Sequence, residues 1–109
     1  MSMDEPGLDR HEWESQLEGL EEDLRTDPFD ALPELADLVE RMLEDAGYDV
    51  ADPVVREGEE REVVAEYLAA REVSDLVESG NDQLSPGDVA AAIEGLRLLA
   101  AFVLAEHAA

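Results

Sequence analysis

Apolar side chains recur every three or four residues through most of this chain, and carboxylates fill many of the positions between them. That interval matches one stripe of an α-helix and conflicts with the two-residue alternation of a half-buried strand. From Trp13 through Leu17 and Leu20 to Leu24 the steps are four, three and four, with mostly Glu, Gln or Asp between. The spacing predicts a first helix over about 9–25, with Asp9 as its N-cap and Glu12 as capping-box partner. Pro28 then disfavours helical geometry at Asp27 and ends it.

A second helix is expected from Asp30 or Leu32 to Ala46, with Pro33 in its first turn, where the missing N–H is harmless. Leu35, Leu38, Val39, Met42, Leu43 and Ala46 form its apolar face, Asp37 and Arg41 an outer pair at four-residue spacing, and Gly47 its left-handed stop. One long loop, about 47–56, follows. Its Tyr48, Val50, Val54 and Val55 suggest packing onto the bundle, with a short edge strand as the alternative. The third helix is expected over about 57–79, ended by Gly80. Ser85-Pro86-Gly87-Asp88 combines a serine cap, proline at the first helical position and an acid in the first turn, and it opens a fourth helix reaching about Glu106. The reading is an all-α four-helix bundle: a flexible segment over 1–8, then a single domain over 9–109, with no internal repeat.

The fourth helix departs from the pattern. Between Val89 and Ala105 only Glu94, Gly95 and Arg97 interrupt apolar residues. A helix that is apolar nearly all round needs covering nearly all round. Either the other three helices wrap it or a second chain covers its outer face. The sequence reading favours the second, a homodimer with Leu96, Leu98, Leu99, Phe102 and Val103 as its interface.

Charge limits function more than fold. Thirty acids stand against seven basic residues, all arginine, for a net charge of −23. Phosphate backbones and anionic membranes are repelled, which excludes direct nucleic-acid and membrane binding as expectations. An acidic, lysine-free composition resembles halophilic adaptation, and it also suits a surface that recognises a basic protein. With 45% hydrophobic residues the chain is not composed like a disordered one. The absence of cysteine removes disulfides and thiolate chemistry. The acidic N-terminus lacks the order of a secretory signal, and the longest apolar run, Leu98–Ala105, is too short for a membrane span, so a cytoplasmic location is expected.

Chemistry has few carriers here. His11 and His107 are the only histidines, and neither belongs to a Glu-x-x-His pair of the di-iron type. Ser74, Ser79 and Ser85 have no histidine close in sequence and no nucleophile-elbow glycines. Trp13, Phe29, Tyr48, Tyr67 and Phe102 read as core anchors. Paired carboxylates of the kind used by magnesium-dependent all-α nucleotide hydrolases do occur. Glu59/Glu62 and Glu72/Asp75 fail as a site, since on one helix they face roughly 220° apart. Glu18 and Glu21 with Glu34 and Asp37 lie on separate helices and stay as the metal candidates, although no lysine is present to hold phosphates. The expectation is a non-enzymatic interaction or structural protein without cofactor, forming a homo-oligomer. Two alternatives stand beside it. One is an acidic nucleic-acid mimic for a basic protein, with rows such as Glu14, Glu18, Glu22 and Glu57, Glu60; the other is the magnesium enzyme.

Overall fold

The computed structural model describes residues 6–48, 50, 58–80 and 83–108. Four helices follow one another: α1 (Pro6–Thr26), α2 (Pro28–Asp45), α3 (Gly58–Glu78) and α4 (Pro86–Ala108). Among the described residues there is no strand. The Val54-Val55 alternative lies outside them, as does Glu57. Among the described residues no helix is long and apolar enough to cross a membrane.

Helix α1 begins at Pro6, so Asp9 and Glu12 fall inside it and do not form its cap. Proline at a helix start loses nothing, because that N–H has no intrahelical partner. The joint between α1 and α2 is one residue. The Asp27 N–H still donates to the Asp23 carbonyl at 2.7 Å, while the Asp27 side chain accepts from the Asp30 N–H. Asp27 is therefore the cap of α2 and Pro28 its first residue. Pro33 consequently sits in the body of the helix, where it removes the bond its N–H would have made to Phe29. The expected start at Asp30 or Leu32, with Pro33 in the first turn, is thus corrected: Asp27-Pro28 both ends α1 and opens α2.

The far end of α2 follows expectation. Gly47 has φ +100°, its N–H meets the Glu44 carbonyl at 3.0 Å, and the Tyr48 N–H reaches Leu43 at 2.9 Å. These are the two bonds of a Schellman ending, and buried Tyr48 and Leu43 supply its apolar contact. Tyr48 and Val50 are both buried, so this part of the loop is packed onto the bundle. Gly80, with φ +75°, ends α3 in the same left-handed way. At α4 the Asp88 N–H donates to Ser85 Oγ at 3.1 Å and the Ser85 N–H to Asp88 Oδ2 at 3.2 Å. That is a reciprocal capping box with aspartate in place of glutamate.

Helices α2 and α4 touch each other and both flanking helices, whereas among the described residues α1 and α3 do not meet. The core is therefore built on the α2–α4 contact. Leu32, Leu35, Leu38, Val39, Met42 and Leu43 from α2 interlock with Val89, Leu96 and Val103 from α4, all at most 1% exposed. Helix α3 adds Val64, Tyr67 and Ala70, and α1 adds Leu24, with Trp13, Leu17 and Leu20 half-buried along its inner stripe. Most of the apolar excess of α4 is thus absorbed by its own chain, because a helix in contact with three others has only a narrow face left for water.

An arginine clasp ties α3 to α2. Arg71 donates to Asp37 at 2.9 Å, to Glu40 at 2.7 Å and to the Tyr67 hydroxyl at 2.8 Å. Its guanidinium carbon stands 5.6 Å from the centre of the Tyr67 ring. The expected Asp37–Arg41 pair does not form. Asp37 turns to the more deeply placed Arg71, and Arg41 reaches Gln16 on α1 at 3.5 Å. A half-buried guanidinium needs its acids more than a solvated one does. Burial pushes the Tyr67 phenol up to about 12, against the opposing pull of Arg71. Among the described residues Ser74 is the one buried polar side chain, and its Oγ has no hydrogen-bond partner.

Candidate interaction surface on the fourth helix

The outer face of α4 differs from every other exposed face of the bundle. On α1 the exposed positions include Glu12, Glu18, Glu21, Glu22 and Asp23; on α3 they include Glu62, Glu66, Glu72, Asp75 and Glu78. Between Ala90 and Ala105, α4 exposes Ala90, Ala91, Glu94, Arg97, Leu98, Ala101 and Ala105. One acid and one base cancel there, and the rest is apolar. Leu98 is 62% exposed, the one large hydrophobic residue so presented among the described residues.

The five interface candidates separate in the structure. Leu96 and Val103 are fully buried and Leu99 nearly so, all within the chain's own core. Phe102 is half-buried, its ring tilted 56° against Tyr48 at a centroid distance of 6.4 Å. Leu98 alone of the five stands out into solvent. Periodicity could not make this division, since the whole wheel is apolar.

Ala91, Glu94, Leu98, Ala101 and Ala105 recur at three- and four-residue steps and form a ridge about 21 Å long. A concavity flanks the ridge on each side. Toward α3 lies a groove of about 280 Å³ lined by Ala69, Ala70, Val73, Ala91, Ala92 and Gly95, with the acids Glu66 and Asp88 also in its wall. A Cβ on Gly95 would stand 3.0 Å from Glu66 Oε2, so the Glu66 carboxylate lies over the bare Cα of this residue. Beyond it, Leu98, Leu99 and Phe102 continue the surface beside Glu62 and Val63. On the opposite flank, toward the α1–α2 joint, Leu24, Phe29 and Ile93 floor a cleft of about 460 Å³. Arg97 at its rim pairs with Glu21 of α1 at 2.8 Å, and Arg25 and Glu94 complete a charge-balanced border.

The four metal candidates are pulled in different directions. Glu21 faces Arg97 of α4, and Asp37 faces Arg71 of α3. Glu34 and Asp37 line the α1–α2 groove together with Asp23 and Arg41, while Glu18 is exposed outside that lining. No three His, Asp or Glu side chains among the described residues converge as ligands would. His11 is exposed on α1, away from any such group. Sequence spacing could not reveal this, because Arg71 and Arg97 reach their acids across 34 and 76 positions of chain. Comparison with protein-family models, curated proteins and solved structures finds no match in any of the three.

Proposed function

We propose that this chain is a non-enzymatic interaction module that assembles with a second copy of itself through the outer face of α4. The observation that carries the reading is the charge balance of that face in a molecule of net charge −23. Two such molecules repel each other at every acidic face, so approach is least costly where the surface is neutral and apolar. Exposed Leu98 at the middle of the ridge then gives the contact its hydrophobic centre. A two-fold pair covers the same patch on both copies at once. The acids elsewhere keep the assembly dispersed in a cytoplasmic setting and discourage contacts through other faces.

Light scattering across a sodium chloride series tests this. The expected result is a mass near twice 12.0 kDa, with a dissociation constant that falls as salt rises, because screening removes long-range repulsion and leaves apolar contact. Leu98→Asp should give a monomer of unchanged helicity. A wild-type chain that is monomeric at every salt and concentration overturns the reading, and the acidic faces of α1 and α3 would then point to a basic protein partner instead.

A further inference from the structure

We infer that the two copies pair antiparallel along α4 about a two-fold axis passing beside residues 95 and 96, with Leu98 of each copy seated in the small-residue groove between α3 and α4 of the other. This rests on the self-association proposed above and specifies its geometry. Glu94 and Arg97 are the two charges on the α4 face between Ala90 and Ala105, and they lie one and a half residues either side of that point. Reversing one helix about it brings Glu94 level with the partner's Arg97, and Arg97 level with the partner's Glu94. Both pairs fall on the same side of the contact, because a two-fold axis perpendicular to the helices preserves side while it reverses direction.

The same operation places Leu98 level with a point between Ala91 and Gly95 of the partner subunit. The angular positions agree. At 100° per residue, Leu98, Ala91 and Gly95 lie together on the α3 side of the ridge, and Glu94 and Arg97 on the other. The groove at that level is lined by Ala69, Ala70, Ala91, Ala92 and Gly95 together with Glu66, whose carboxylate lies over Gly95, so a leucine side chain enters as the flexible end of that exposed glutamate moves aside. A parallel pair offers neither match. An axis along the helices keeps each residue level with its own copy and exchanges sides, so Glu94 would not meet the partner's Arg97 and Leu98 would not reach the level of the partner's Ala91 and Gly95. Charge complementarity therefore selects the antiparallel register.

Charge exchange between copies is the test. Glu94→Arg makes the chain less negative, so a pair held in any other register should tighten or stay unchanged. In the register inferred here it sets the Arg97 of each copy against a new cation of the other and should weaken self-association about tenfold. Arg97→Glu should weaken it similarly by opposing Glu94. A mixture of the two variants restores an opposite-charge pair at both positions, and the mixed dimer should return to within about threefold of wild-type affinity. Differently labelled copies followed by fluorescence transfer report each species separately. Because Arg97 also holds Glu21, circular dichroism checks that Arg97→Glu stays folded; Glu94→Arg leaves that bond intact and decides by its sign alone if it does not. Tighter pairing of Glu94→Arg, or no preference for the mixed dimer, overturns the register while leaving self-association standing. A monomeric wild type overturns both.

Discussion

Helices α2 and α4 occupy equivalent central places, yet their sequences are built differently. In α2 the buried residues Leu32, Leu35, Ala36, Leu38, Val39, Met42 and Leu43 are separated by exposed acids, so its wheel has an inside and an outside. In α4 the buried Val89, Ala92, Ile93, Leu96, Leu99, Ala100 and Val103 are separated mainly by alanines and Leu98. Each helix touches the other three elements, so burial within the chain does not explain the contrast. What differs is the solvent side. The exposed positions of α2 are mostly carboxylates, whereas those of α4 between Ala90 and Ala105 include a single one, Glu94. Two helices with equivalent central places can thus differ almost entirely on the side that faces out of the bundle.

Truncations offer the largest effects for sharpening that comparison. Leu35→Ala in α2 and Leu96→Ala in α4 remove fully buried side chains and should each cost about 3 kcal/mol in urea unfolding. Leu98→Ala should change the stability of the monomer by no more than about 0.5 kcal/mol. If Leu98→Ala proved as costly as Leu96→Ala under dilute, monomeric conditions, the division of α4 into inner and outer faces would be mistaken.

A smaller effect is expected at Gly95. An alanine there gains about 1 kcal/mol of helix propensity. The one close neighbour is the mobile end of the exposed Glu66 side chain, so displacing it is cheap. The Gly95→Ala monomer should therefore melt higher while its dimer weakens, because the added methyl shallows the groove that receives Leu98. Stability and association moving in the same direction would break the link drawn between the groove and pairing.

The smallest effect belongs to the start of α2. The hydrogen bond and charge of Asp27 beside Asp30, with a slight desolvation, raise the Asp30 carboxyl above its ordinary 3.8. The native state then holds this proton more tightly than the unfolded chain, so its contribution to stability is lost as pH rises from 3.8 through the raised value. Asp30→Asn should flatten that part of the stability–pH curve, as measured by thermal melts between pH 3 and 6.

How much of this was legible before folding depended on contrast along the chain. Helix α2 announced its inner face because acids marked its outer one, and Gly47, Gly80 and the Ser85-Pro86 start were readable from local backbone chemistry. The start of α2 was misplaced because two prolines each offered a plausible first turn, and the hydrogen bond of Asp27 decided between them. The Asp37–Arg41 pair was locally sound but lost to Arg71, a competitor that only packing brings near. Helix α4 offers little contrast, so its sequence cannot separate exposed Leu98 from buried Leu96, Leu99 and Val103 and half-buried Phe102. The sequence by itself determined the helical class, most helix ends and the acidity, since these follow from side-chain chemistry and short-range backbone preference. Only the tertiary structure decided which edge of α4 faces water and which acids each arginine neutralises, because both depend on distances set by packing between helices far apart in the chain.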